Sequence, residues 1–228
     1  MRHWFALIVF VAAAVVLPAQ TATPGTVQAT GTATISVNPD EASLDVSVMT
    51  QGATAQQAAQ LNASQTTTVI NALKQLLGGR GTIQTVAYSV YPLYSTQPGQ
   101  SNVIMGYTAS NTVRATTSDL TLPGPIIDTA NQAGASPVGN LTFDLQNPDP
   151  YKQQALSAAA KQAQAHTAAI AAGLGAKTGG VVSAQESSTT TFPIYAGVAG
   201  AGAATPTPVQ SGPVNVSATV TITVQLMQ

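Results

Sequence analysis

The sequence contains no cysteine among its 228 residues. This absence excludes disulfide bonds, zinc sites built from thiolates and catalysis by a cysteine nucleophile. It does not identify the cellular compartment, because exported proteins can also lack cysteine. The compartment therefore has to be inferred from the start of the chain.

Charge is also scarce. Asp, Glu, Lys and Arg together make up 7% of the residues, against about 25% in an average soluble domain. Seven basic and eight acidic residues give a net charge of −1, which provides neither a footprint for nucleic acid nor a basic cluster for an anionic membrane. We therefore expect no nucleic-acid partner. A weakly charged surface also resists self-association poorly, which favours an oligomer or a partner.

The N-terminal segment resembles a secretory signal peptide. Arg2 and His3 precede an apolar run over 4–17, and small residues follow over 18–22. This order of regions is typical of an exported protein. The 14 apolar residues are short for a membrane span, which needs about 20. We predict a signal peptide over 1–22, cleaved near 19–22, and a periplasmic or secreted mature protein without a membrane span; the alternative is a retained anchor.

Few residues offer catalytic chemistry. After cleavage His166 would be the single histidine, in an alanine-rich helical segment. No G-x-S-x-G element presents a serine nucleophile, and one histidine with dispersed carboxylates and no cysteine does not form a usual transition-metal set. We expect no catalytic residue, no cofactor and no metal site. The alternative is an exported hydrolase that uses His166 with a serine nucleophile.

Two alternating runs, 83–94 and 103–116, give the strand signal around which the chain is organised. A period of two predicts strands with one buried face, and Pro98-Gly99 in the connection predicts an antiparallel hairpin. The predicted core face carries the aromatic residues Tyr88, Tyr94 and Tyr107. Tyr91 is predicted to point outward, so Tyr91, Pro98 and Gly99 form the candidate contact surface.

The remaining elements follow from the same periodicities. Alternation predicts strands over 27–37 and 42–48, interpreted as a second hairpin, and over 214–226. Spacings of three and four residues predict helices over 53–77, 119–133 and 150–172, the last with a core stripe including Leu156, Ile170 and Leu174. The predicted order is ββα-ββ-αβα-ββ. It indicates an α+β fold in two layers, with mainly antiparallel sheets and two long helices packed on one face. Residues 23–228 would form one domain with a mobile loop at 192–212.

Short motifs in a fixed order resemble those of the SIMPL domain. They are Gly31 with 37–42 (Val-Asn-Pro-Asp-Glu-Ala), 88–94 (Tyr-Ser-Val-Tyr-Pro-Leu-Tyr), 106–111 (Gly-Tyr-Thr-Ala-Ser-Asn) and 216–220 (Val-Ser-Ala-Thr-Val). The resemblance covers 26–226 and departs from the family pattern at Pro213, where an acidic residue is expected. The family occurs in exported bacterial proteins linked to oxidative-stress defence and in periplasmic immunogenic proteins.

The resemblance implies a periplasmic or secreted homo-oligomer and supplies no catalytic residue. Our hypothesis is an exported, non-enzymatic protein that acts through assembly or binding, in envelope or oxidative-stress defence. The sequence does not identify its ligand.

Overall fold

The strands form two antiparallel sheets, and a long helix covers one face of each sheet. The computed structural model describes residues 25–97, 103–196 and 207–228. Its elements are β1 (Thr26–Val37), β2 (Glu41–Gly52), α1 (Ala55–Leu77), β3 (Gly81–Tyr94), β4 (Ile104–Thr117), α2 (Pro123–Gln132), β5 (Val138–Asp144), α3 (Asp149–Gly173), β6 (Lys177–Phe192), β7 (Ile194–Ala196) and β8 (Val214–Met227). This order confirms the predicted α+β class and adds one short strand, β7.

The first sheet has the strand order β1-β8-β6 and the second has the order β3-β4-β2-β5-β7. β1 pairs with β8 from Thr26↔Gln225 to Val37↔Val214, whereas β2 pairs with β4 and β5. The predicted hairpin between β1 and β2 is therefore wrong. Residues 38–40 carry the chain from the first sheet to the second, because β1 and β2 pair with different strands.

The first core lies between α3 and the sheet of β1, β8 and β6. The helix buries a stripe of small residues at every fourth position, namely Ala155, Ala159, Ala163, Thr167 and Ala171. A Cβ at Gly31 of β1 would overlap the carbonyl oxygen of Ala159, so the helix backbone approaches the strand very closely. This corrects the predicted stripe. Ile170 is 42% exposed and Leu174 is 67% exposed, because larger side chains do not fit so narrow a gap.

The second core lies between α1 and the strands β2 and β4, with α2 and β5 beside them. The side chain of Thr54 caps the start of α1 by accepting from the N–H of Gln57, and Gly78 in the left-handed conformation ends it. Asn62 is fully buried. Its amide donates to the carbonyl oxygens of Val48 (2.8 Å) and Ala109 (3.1 Å), so one side chain ties the helix to two neighbouring strands.

In the segment 192–212, Phe192 ends β6 of the first sheet, and later described parts lie against the second sheet or its helix α2. β7 pairs with β5, and the hydroxyl of Thr207 donates to Asp128 of α2 over 2.7 Å. Residues 197–206 lie outside the described residues, and the mobility of this segment stays a prediction. The signal peptide predicted over 1–22 also lies outside them. Within the described ranges, no helix is long and apolar enough to cross a membrane.

Candidate contact surface

β3 and β4 pair antiparallel, as predicted, and the pair extends beyond the end of β2. Gly52, the last residue of β2, pairs with Tyr107 of β4, and Tyr107 also pairs with Pro92 of β3. The backbone of Ala58 in α1 lies against Gly52, so the helix reaches the sheet at this row. Beyond the row, the register continues between β3 and β4 to Tyr94↔Ile104. The end of the hairpin is thus a two-stranded ribbon.

Large apolar side chains crowd this ribbon and the neighbouring row of Tyr91, and they are open to solvent. Met105 is 69% exposed and Tyr94 is 54% exposed, and three further side chains, Tyr91, Val103 and Ile104, are between 41% and 48% exposed. We call these five residues the tip surface. Exposed apolar side chains grouped in this way are common at interaction sites, which makes the tip surface the candidate contact surface.

The prediction that Tyr88 and Tyr94 belong to the core is wrong. A register shift between Thr85 and Ala87 inserts a β-bulge, which changes the face on which odd and even residues lie. Before the bulge Ile83 pairs with the buried Ala115, and after it Tyr88 pairs with Asn111. Tyr88 remains 55% exposed, because α1 packs mainly on β2 and β4 and leaves the outer strand β3 open. Tyr107, the third predicted core tyrosine, is half-buried.

Tyr91 points away from α1. It pairs with Thr108, which pairs with Gln51, while the next row holds Thr50, whose hydroxyl donates to the carbonyl of Ala58 in α1. Successive residues of a strand lie on opposite faces, so the row of Tyr91 faces the open side of the sheet. Pro98 and Gly99, the other predicted contact residues, lie outside the described residues.

Sequence reasoning did not find Val103, Ile104 and Met105 as a group. Their signal is that three consecutive large apolar residues break the alternation, so at least one of them must face solvent whichever face of the strand is buried. The exposure of Tyr94 had no such signal, because it depends on where β2 ends.

One ion pair lies on the open face of this sheet. The Nε and Nη2 atoms of Arg114 donate to the two carboxylate oxygens of Asp45 over 2.7 and 3.0 Å, and Asn140 donates to the same carboxylate. The hydrogen bond from Arg114 is the main cause that lowers the pKa of Asp45 below its usual value. The pair satisfies both charges, and the tip surface itself is uncharged.

His166 lies on the exposed side of α3, far in sequence from the tip surface. Its Nδ1 atom is 2.9 Å from the carbonyl oxygen of Thr30 in β1. Among the described residues no serine or carboxylate side chain forms a hydrogen bond with His166. These residues therefore hold no Ser-His-Asp triad built on His166. The alternative of a hydrolase that uses His166 therefore has no geometric support in these ranges.

A wide-open polar depression of about 290 Å³ lies at the other end of the sheet, beside Glu41, Arg80, Thr116 and Gln146. Burial raises the pKa of Glu41, and the nearby carboxylates of Asp144 and Asp40 raise it further. Within the described ranges no group of three or more histidine or carboxylate side chains could hold a metal ion.

Comparison with known proteins agrees with the motifs in the sequence. The family model described as "SIMPL: Protein of unknown function (DUF541)" matches residues 27–224. The 26 kDa periplasmic immunogenic proteins of Brucella melitensis and Brucella abortus are each 28% identical to this chain over 178 residues. The matched region is 76% of this chain and 71% of each relative.

Proposed function

We propose that this chain, which belongs to the SIMPL family, is an exported, non-enzymatic protein that acts by assembling with copies of itself through the tip surface. A periplasmic or secreted location agrees with the two relatives, both named as periplasmic proteins. Neither relative carries an enzymatic name. We place the assembly in envelope or oxidative-stress defence, the process to which the family resemblance points.

The single observation that carries the proposal is the exposure of the tip surface. Burying an apolar side chain such as Met105 or Tyr94 in an interface removes apolar area from water. Each Å² of this area stabilises the interface by about 25 cal/mol. The ribbon projects past the end of β2 at Gly52, so a partner can approach it from both faces. Aromatic residues and methionine are enriched at the centres of protein interfaces.

The occupant is a second copy because the surface is apolar and uncharged, and therefore complementary to itself. Symmetric homo-oligomers are the commonest form of association, and in a two-fold interface the same patch faces itself. The whole chain has 7% charged residues, so little charge repulsion opposes the contact. Tyr91, Pro98 and Gly99 belong to this contact in our proposal, with Tyr91 as the aromatic anchor on the open face.

The test replaces three tip residues in the exported protein, Tyr91→Ser, Tyr94→Ser and Met105→Ser. The expected result is a fall in molar mass to that of the monomer in sedimentation equilibrium, because the variant removes the apolar area of the interface. The matched control is Ile170→Ser with Leu174→Ser, two exposed apolar residues in the last turn of α3 and just after it, which should leave the mass unchanged. Retention of the oligomer by the triple variant, with a folded circular dichroism spectrum, would refute the tip surface as the interface.

A further inference from the structure

In the part of the chain that the structure describes, the two sheets leave four edge strands, β1, β6, β3 and β7. A free edge exposes backbone N–H and C=O groups to which another chain can add a strand, and proteins usually obstruct such edges. β6 has three register irregularities, and Lys177 and Glu186 add charge to it. β3 has two irregularities and contains Pro92, and β7 is only three residues long. Three of the four edges are thus obstructed by their own backbone or sequence.

β1 has none of these obstructions. Its 12 residues contain neither a charged residue nor proline, and its register with β8 runs without irregularity from Thr26 to Val37. A long, regular and uncharged edge is the form that pairs most readily with another strand. Some other feature must protect it, or it must be used.

Two side chains of α3 reach this edge. The N–H of Thr32 donates to Oε1 of Gln162 over 2.6 Å, and Nδ1 of His166 donates to the carbonyl oxygen of Thr30 over 2.9 Å. Because the backbone groups of residues two apart in a strand point to the same side, both bonds lie on the free edge of β1. Gln162 and His166 are four residues apart, so they stand side by side on the helix.

The close packing at Gly31 explains how these side chains reach the backbone. Gly31 lies between Thr30 and Thr32, and a Cβ there would overlap the backbone of Ala159 and Ala163. The helix therefore runs close enough to β1 for Gln162 and His166 to reach its backbone at the edge. The two bonds replace those that the backbone of an added strand would form.

We propose that Gln162 and His166 form an edge cap that prevents β1 from pairing with β1 of a second copy. The bonds at Thr30 and Thr32 occupy the middle of the 12-residue edge, so they divide it into two shorter stretches. The partner that the cap excludes is a second copy, because an uncharged edge centred on Gly31 can pair antiparallel with itself. This role also accounts for the single histidine of residues 25–228 without any catalytic function.

The first test measures the bond itself, as amide hydrogen exchange at Thr32 by NMR. Gln162→Ala should speed exchange of this amide about fivefold or more, since it loses a hydrogen bond of about 1 kcal/mol. The control Gln153→Ala with Gln154→Ala changes two exposed glutamines of the same helix and should leave the Thr32 rate unchanged. Unchanged exchange in Gln162→Ala would overturn the assignment.

The second test measures association. Gln162→Ala with His166→Ala should form open-ended assemblies whose light scattering and thioflavin T fluorescence grow with time, and adding Thr32→Lys should suppress them by placing charge on the edge. Loss of stability alone would not be reversed by that lysine. The same growth of scattering is measured for the double variant with and without the tip substitutions. The edge-cap proposal is thus tested independently of the tip interface. If the double variant does not fold, Gln162→Ala alone is measured. Scattering that stays at the wild-type level would overturn the proposal.

Discussion

Gly31 shows at the residue scale how one position sets the distance between a helix and a sheet. Its missing side chain lets α3 lie against β1, and the alanines of α3 fill the remaining space. The family-like motif at Gly31 was visible in the sequence, but the reason for it was not, because the helix that needs the space begins at Asp149. The same contact brings Gln162 and His166 to the edge of β1.

Gly31→Ala should lower the free energy of unfolding by about 1–3 kcal/mol, the usual cost of overpacking a tight core. The added methyl group meets backbone atoms of Ala159 and Ala163, which cannot rotate away. Urea unfolding followed by circular dichroism measures the change. Gly139→Ala is the matched control, because a Cβ at Gly139 meets nothing within 4 Å. Equal unfolding midpoints for the two variants would contradict this account.

Asp45 gives the second prediction at this scale, a dependence of stability on pH. Arg114 lowers the pKa of Asp45 below the ordinary value of 3.8. The stabilisation is therefore complete above this ordinary value and is lost as the pH falls through the lower pKa of the folded state.

Asp45→Asn should reduce stability at pH 7 by about 1 kcal/mol or less, because Arg114 is 48% exposed and water screens the pair. The loss should shrink as the pH falls through the lowered pKa of Asp45, because the wild type then loses the pair as well. Thermal unfolding at several pH values measures this. A loss that does not shrink as the pH is lowered would show that the ion pair is not its cause.

At the scale of elements, local pattern predicted what each segment is but not what it pairs with. The helices and the hairpin of β3 and β4 were predicted because their periodicity is contained within each segment. The pairing of β1 with β8 was missed, since both strands show the same alternation as their neighbours and the choice of partner depends on the whole chain. The bulge at Thr85 was missed too, but Tyr88 was wrongly assigned to the core for another reason, because α1 leaves the outer strand β3 open. The outward direction of Tyr91 agrees with the structure.

The packing of α1 depends on one polar side chain, Asn62. It lies buried between the carbonyls of β2 and β4. Asn62→Ala should destabilise the fold by about 2–4 kcal/mol, because two buried acceptors lose their donor. Chemical denaturation measures this, and Ser64→Ala, at an exposed position of α1, serves as the control. A loss no larger than that of the control would contradict the bridging role.

At the scale of the whole molecule, two helix-covered sheets present two surfaces on which copies of the chain could meet. The tip surface is open and apolar, whereas the edge of β1 carries hydrogen bonds from Gln162 and His166. We infer that this difference directs association to the tip and away from the edge, which favours closed oligomers over open-ended sheets. The surface carries little charge, so charge repulsion cannot prevent association at the edge of β1, and the cap is needed for this.

The molar mass of the mature, unmodified protein in solution tests this account most directly. Size-exclusion chromatography with multi-angle light scattering should give a fixed multiple of the monomer mass that persists on dilution into the micromolar range. The tip substitutions should reduce it to the monomer. A wild-type protein that is strictly monomeric at all concentrations would contradict the central claim.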